Sequence, residues 1–306
     1  MKTNTGIILV LCTALVSGVS VFLNSFAVQQ IDPFNLTFIR NSLVAIMLFS
    51  IIILIKEYKH LEKLNFDQWK ILFAIGLIGG SIPFLLFFYA LKSISSTSAG
   101  FIHKTLFIYV AFLAMIFLKE KLSLKFWFGA LLVFLGNLLL FSGDLKADFP
   151  FLLVFAATIL WAIENVISKY AIKEKEISPN IVAFGRMFFG SIFMLIILSS
   201  IGAIKTPTFE ITQWLWLLAT TALLFLYVLT YYNSLKYIEV SKASAIIMLA
   251  QPITALLSLL FLGKNLTLQQ GIGLTLMVIG VILIIGFQFI FQNFSYRGSI
   301  VAQKRN

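Results

Sequence analysis

The chain has 306 residues, 60% of them hydrophobic and 11% charged, with a mean hydropathy of +1.01 and a formal net charge of +11. So few charges cannot clothe the surface of a soluble domain of this length, so the composition excludes a water-soluble globular fold and points to an integral membrane protein. One cysteine, Cys12, excludes an internal disulfide, and two histidines, His60 and His103, cannot make a zinc site unaided.

A helix needs about 20 mostly apolar residues to cross roughly 30 Å of hydrocarbon. Ten runs meet that length. The first, 6–27, follows Lys2; it is longer than a signal-peptide core and no A-x-A-like site follows it, so it reads as an uncleaved span. The turn "QQIDPF" around Pro33 separates it from 36–55, which carries Arg40 near its start. Then come 69–91 and 96–117; the latter holds His103 and Lys104 side by side in "AGFIHKTLFIYV". After 124–143, the break "SGDLKADFP" precedes 150–172, with Glu164, Asn165 and Lys169, and "EKEISPN" precedes 180–200, with Arg186. The last three are 213–235, with Tyr231, Tyr232 and Asn233; 242–262, with Gln251 and Pro252; and 268–291. These runs are about twice as long as a barrel strand requires, so the expected fold is an all-α integral membrane bundle of ten transmembrane helices.

Basic residues orient the bundle. With the N-terminus inside, the inner segments hold Lys2, Lys56, Lys59, Lys63, Lys70, Lys119, Lys121, Lys125, Lys173, Lys175, Lys236, Lys242, Arg297, Lys304 and Arg305, against Lys92, Lys146, Lys205 and Lys264 outside. The positive-inside rule places both termini in the cytoplasm. Topology thereby accounts for most of the net charge, and no nucleic-acid partner is implied.

An internal repeat is visible without gaps. A shift of 144 lays Leu91 on Leu235, Phe117 on Phe261, Leu122 on Leu266, Gly129 on Gly273 and Gly136 on Gly280; a shift of 146 lays Pro33 on Pro179 and Arg40 on Arg186. The chain divides into 1–146, 147–292 and a basic tail, 293–306. Each half holds five spans, and five is odd, so the second copy enters the membrane from the opposite side: two inverted five-helix repeats, an architecture that can alternate between two faces around a midplane site.

Several features together resemble the EamA-type families of the drug/metabolite transporter superfamily. They are an Arg early in the second helix of each half, the sixth-helix pattern Trp161, Ala162, Asn165, Lys169, and the pattern Phe117, Leu118, Glu120, Leu122, Gly129 that closes the fourth. The resemblance implies secondary transport, usually export of a small metabolite, by alternating access around a central cavity. It does not select among amino acids, nucleotide sugars, phosphorylated metabolites, cations and lipids. Two positions depart from the pattern. Lys264 stands where the first half has Glu120, and Ile108 stands where the second half, like the family, has a proline, Pro252.

Ionisable groups in the spans mark a site, because a charge at the bilayer centre costs roughly 2.5–3.5 kcal/mol on insertion scales. By helical rise, Lys169 lies about 5 Å from its helix end and Arg40 and Arg186 roughly 6–9 Å, within reach of the interface. Lys169 is a snorkelling anchor or lines the cavity. The doubled arginines are expected to neutralise helix C-termini or carbonyls, with substrate contact as the lesser role. His103 and Lys104 are deeper, about 11–12 Å, and point about 100° apart, so both can line only a wide cavity. Their equivalents Ile247 and Met248 are apolar, so symmetry does not demand them. Glu164 is the only carboxylate in the spans. It either forms a buried ion pair with Arg186 or Lys169, or acts as a proton-coupling carboxylate. His103 is the second protonatable candidate.

Among uncharged groups, Asn165, Tyr232 and Gln251 could hydrogen-bond a substrate, though most such groups serve helix contacts. Pro252 would free a carbonyl one turn earlier and kink its helix, a structural or gating role it shares with Arg40 and Arg186. Gly129, Gly136, Gly273 and Gly280 suit close packing, within the chain or across a homodimer. There is no G-x-S-x-G, P-loop or His/Cys cluster, hence no expected enzyme activity, cofactor or metal, and an ion or substrate gradient is the expected energy source. The expected partners are the lipid bilayer and a small-molecule substrate, amino-acid-like or anionic. Phosphorylated or lipid-linked substrates, or a non-transporting receptor or assembly factor, are the alternatives.

Overall fold

Short polar caps between apolar runs set where helices begin. In the computed structural model, which describes residues 2–141, 146–204, 209–263 and 265–286, these helices are α1 Lys2–Gln30, α2 Pro33–Leu54, α3 Phe66–Ala90, α4 Thr97–Phe117, α5 Leu124–Leu140, α6 Phe149–Lys173, α7 Pro179–Ser200, α8 Ile211–Leu235, α9 Val240–Leu262 and α10 Leu268–Ile285. Asp32, Asn65, Ser123, Asp148 and Thr267 each accept a backbone N–H of the first turn with a side-chain oxygen, and Pro33, Pro150 and Pro179 occupy first-turn positions where no intrahelical donor is needed. No strand occurs among the described residues. Among the described residues nine helices are long and apolar enough to cross a membrane, and α5, with 17 residues, is a shorter apolar helix. The expected ends at 143 and 291 fall outside the described residues, as do Lys205, Lys264 and the tail 293–306; the helices stop at Leu140, before an extended Phe141, and at Ile285, before Gly286 with φ +89°.

Three spans are broken. In α3 the break is Ser81, with φ −135° and ψ −73°, followed by Pro83 in the first turn of the resumed helix. In α9 a 3₁₀ turn, Ile247–Leu249, precedes the segment that carries Pro252. The first-half counterpart, α4, has no proline at 108 and breaks all the same, at Thr105. The Thr105 hydroxyl and N–H both turn back to the Ile102 carbonyl, at 2.6 and 3.0 Å, and replace the regular ladder with a tighter turn.

The two halves meet in reciprocal pairs. A Cβ on Gly129 would lie 2.6 Å from the Gly280 carbonyl, and one on Gly136 would lie 2.5 Å from that of Gly273. Because Gly129 and Gly136 are the repeat equivalents of Gly273 and Gly280, α5 and α10 pack as an isologous pair about a two-fold axis inside one chain. The glycines are thereby accounted for within the chain, without a homodimer. Lipid offers no hydrophobic drive between helices, so close backbone approach supplies the attraction. The same reciprocity recurs at the helix ends: Gln68 Nε2 donates to the Lys175 carbonyl at 2.9 Å, and Gln213 Nε2 to the Gln30 carbonyl at 2.8 Å.

At the end of the bundle that carries the N-terminus, further polar contacts join the halves. The Glu57 carboxylate accepts from Ser178 Oγ at 2.7 Å and Asn180 Nδ2 at 3.2 Å. Glu120 accepts the backbone N–H of Val240 and Ser241, capping α9 with a charge of the sign a helix N-terminus favours. Beside it, buried Lys169 donates to the carbonyls of Leu235, at the end of α8, and of Ile238, the latter at 2.8 Å. Lys169 is therefore neither a snorkelling anchor nor part of the central cavity: its ammonium satisfies helix-end carbonyls that have no intrahelical donor.

Two outcomes follow. Gly136→Leu should lower the apparent melting temperature in detergent, an overpacking cost of about 1–3 kcal/mol, whereas Gly271→Ala, where nothing lies within 4 Å of the added Cβ, should leave it unchanged. Lys169→Met strands two carbonyls at about 1–3 kcal/mol each. Its melting temperature should fall clearly, with Lys169→Arg restoring part of the loss; an unchanged value would show that the carbonyls find other donors.

Candidate functional site

Pro83 has no N–H to give the carbonyl of Gly79 one turn earlier. That oxygen accepts instead from the Trp161 indole at 3.1 Å and from Arg186 Nη2 at 3.2 Å, so the break in α3 fastens α6 and α7 to it. Arg186 Nε also lies 3.7 Å from Glu164 Oε2, both side chains being nearly inaccessible. The other oxygen of Glu164 accepts from Ser168 Oγ at 2.7 Å and the Tyr232 hydroxyl at 2.6 Å. Of the two pairings open to Glu164, the structure makes the one with Arg186; the ammonium of Lys169 is engaged elsewhere.

This cluster backs a central cavity of about 450 Å³. The first half contributes Ser17, Ser20 and Asn24 of α1, Thr37 and Arg40 of α2, Phe84, Phe87 and Phe88 of α3, and Gly100, His103 and Lys104 of α4; the second half contributes Trp161 and Asn165 of α6, Arg186 of α7, Tyr227 and Tyr231 of α8, and Ser244, Ile247 and Met248 of α9. No residue of α5 or α10 lines it. The first-half residues sit towards the bundle end opposite the N-terminus, and the α7 to α9 residues lie nearer the N-terminal end, where Glu57 and Glu120 of the first half hydrogen-bond the second. Positions 100, 103 and 104 and their repeat equivalents 244, 247 and 248 all face the cavity, which therefore contains the axis relating the halves.

Arg40 behaves unlike its repeat partner. It holds no helix-end carbonyl, contrary to expectation: its Nη1 donates to Asn24 Oδ1 at 2.8 Å, and its Nε has no partner among the described residues. Asn24 is steadied by donating to the carbonyl and hydroxyl of Ser20. The His103 ring packs edge-on against Trp161, centroids 4.8 Å apart, and against Phe87 at 5.8 Å, with Nδ1 buried and unpartnered. Lys104 has no carboxylate within 4.0 Å among the described residues. Asn165 accepts from the Tyr231 hydroxyl and donates to the Trp161 carbonyl at 2.7 Å.

The structure thus gathers Arg40, His103, Lys104, Asn165 and Arg186 around one space, with Glu164 and Tyr232 directly behind its wall. Gln251 lies apart, in an adjoining compartment of about 320 Å³, donating to Asn137 Oδ1 at 3.1 Å; Lys104 lines both spaces. Pro252 faces neither. Phe84, Phe87, Phe88 and Tyr227 were not foreseen, because an aromatic in an apolar span carries no mark of the side it faces. Pro83 was the available signal: a proline inside a span obliges another helix to supply a donor. Among the described residues, no three His, Cys, Asp or Glu side chains come together as a metal would require.

Comparison with known proteins agrees with this geometry. Residues 4–142 and 149–286 each match the EamA-like transporter family. The chain is 26% identical over 292 residues to an uncharacterized transporter of Archaeoglobus fulgidus, covering 92% of this chain and 98% of that one. It is 23% identical over 225 residues to an uncharacterized transporter of Methanothermobacter thermautotrophicus, covering 71% and 65%. A solved crystal structure superposes with a TM-score of 0.76 at 16% identity, covering 91% of this chain and 95% of the other, a likeness of fold. Two family matches, one on each half of an apolar all-helical chain, establish that this multi-pass membrane protein belongs to the EamA-like transporter family.

Proposed function

We propose that the chain is a secondary transporter that moves a small polar or amphipathic metabolite, normally outwards, across the cytoplasmic membrane by alternating access. In this reading all ten helices span the bilayer, both termini are cytoplasmic, and 1–146 and 147–292 act as inverted units. One observation carries it: a central cavity lined by equivalent positions of both halves, which the contacts of Glu57 and Glu120 join at the N-terminal end. Exchanging the conformations of the halves would open that end and close the other. The contacts of Glu57 and Glu120 would break.

Glu164 suits proton coupling in this scheme. Its charge is balanced by Arg186, which itself lines the cavity. A substrate that engages Arg186 competes with Glu164 for the same guanidinium, which would link substrate binding to the carboxylate.

The test is uptake and counterflow in proteoliposomes with a mixed pool of amino acids and anionic metabolites, with and without an imposed pH gradient. Wild type should show saturable flux. Glu164→Gln should lose stimulation by the gradient while retaining counterflow. No flux of any solute would overturn the transport reading in favour of a receptor. Separately, bridging Glu57→Cys and Asn180→Cys with a bifunctional maleimide, in a Cys12→Ser background, should abolish flux; undiminished flux in the bridged protein would rule out opening at that end.

A further inference from the structure

Donors and acceptors around the cavity are out of balance. The ammonium of Lys104 has three N–H groups and no hydrogen bond or ion pair among the described residues. Arg40 offers five N–H groups, of which the structure pairs one nitrogen, with a neutral amide. The amide and carboxylate oxygens that line or back the central cavity are already committed, Asn24 Oδ1 to Arg40, Asn165 Oδ1 to Tyr231, and both oxygens of Glu164 to Ser168, Tyr232 and Arg186; the one unpartnered amide oxygen among the described residues near Lys104, Gln251 Oε1, is neutral and faces the adjoining compartment. Arg186 is balanced by Glu164, whereas Arg40 and Lys104 have no compensating carboxylate among the described residues. A ligand that brings acceptors and negative charge corrects this. Among the described residues a ligand ammonium would find no free carboxylate at the cavity and would sit beside two cations.

Most of the remaining wall is apolar or aromatic, interrupted by the hydroxyls of Ser17, Ser20, Thr37 and Ser244, with Trp161 centroids 5.1 Å from Phe84 and 5.8 Å from Phe87. At about 450 Å³ the cavity lies at the small end of the ligand-pocket range of roughly 300–1,000 Å³, small enough for one ligand to span from Arg40 and Lys104 to these rings.

Building on the transport reading, we infer that the substrate is an amphipathic organic anion without an ammonium group: a carboxylate or phosphate head held by Arg40 and Lys104, and an apolar, ring-sized body against Phe84, Phe87 and Trp161. This narrows the expectation of an amino-acid-like or anionic substrate by removing the zwitterion.

Four ligands with one common body test it: 3-phenylpropionate, phenethyl phosphate, phenylalanine and phenethylamine, measured by equilibrium binding and thermal stabilisation of the purified full chain. At least one of the two anions should bind about tenfold or more tighter than phenylalanine, the worth of one charge-assisted contact. Phenethylamine should not bind, and comparison of carboxylate with phosphate identifies the head. Lys104→Gln and Arg40→Gln should each weaken the anion by about tenfold, with Lys104→Arg restoring it. The wild-type panel decides the matter even where a variant fails to fold. Phenylalanine or phenethylamine binding as tightly as both anions, or no binding by any of the four at millimolar concentration, would overturn the inference. Counterflow separates the two layers. Anion binding without flux keeps the ligand class and removes the transport reading, whereas flux of phenylalanine but neither anion keeps transport and removes the ligand class.

Discussion

In a lipid-embedded helix every backbone carbonyl needs a donor, and Pro83 deprives Gly79 of its own. Most of the site can be followed outwards from that one oxygen. Trp161 and Arg186 reach it from α6 and α7, so the indole and the guanidinium are fixed beside the broken helix and not free to adopt other rotamers. Arg186, thus placed, meets Glu164, and Glu164 is held in turn by Tyr232 of α8. Gly79 has no side chain for a related reason: a Cβ there would lie 2.2 Å from the Glu164 side chain. A four-helix polar cluster is assembled around a backbone defect, and its outer members, Trp161 and Arg186, become cavity wall.

Symmetry accounts for the scaffold, and departures from it account for the chemistry. The glycine pairs of α5 and α10 and the glutamine contacts at the two ends obey the internal two-fold. The equivalent arginines do not. Arg186 has a carboxylate, and Arg40 has the amide of Asn24. Likewise His103 and Lys104 face the cavity where their counterparts are Ile247 and Met248. These departures leave uncompensated positive charge among the described residues on the first-half side, so one wall of a largely apolar chamber is electropositive.

The spans, their order and the repeat were legible in the sequence because they rest on run length and recurring letters, which burial does not alter. The depth of Lys169, Arg40 or Lys104 along its helix was legible for the same reason, from rise per residue. What could not be read was the direction each side chain faces. Lys169 and Glu164 lie on one helix five residues apart, yet the first points to the loop after α8 and the second to Arg186. Nor do single letters report a break that other residues can make: Ile108 replaces a proline, and Thr105 bends α4 through its own hydroxyl. The glycines show a further limit, since identical spacing would serve a homodimer as well as the internal pair.

Contacts that obey the two-fold axis and contacts that do not have different fates in a transport cycle. If the halves exchange conformations, contacts about the axis, such as Gly129 with Gly280 and Gly136 with Gly273, map onto each other and can persist throughout, as can contacts made at both ends, such as those of Gln68 and Gln213. A contact between the halves made at one end alone must be broken. Glu57 with Ser178 and Asn180, and Glu120 with Val240 and Ser241, are of that second kind, and they are hydrogen bonds at helix ends, where departing partners can be replaced by water. The division is physically economical: close-packed glycine surfaces, whose attraction depends on contact and offers no replacement when lost, lie where nothing needs to open, while exchangeable polar contacts lie where something must.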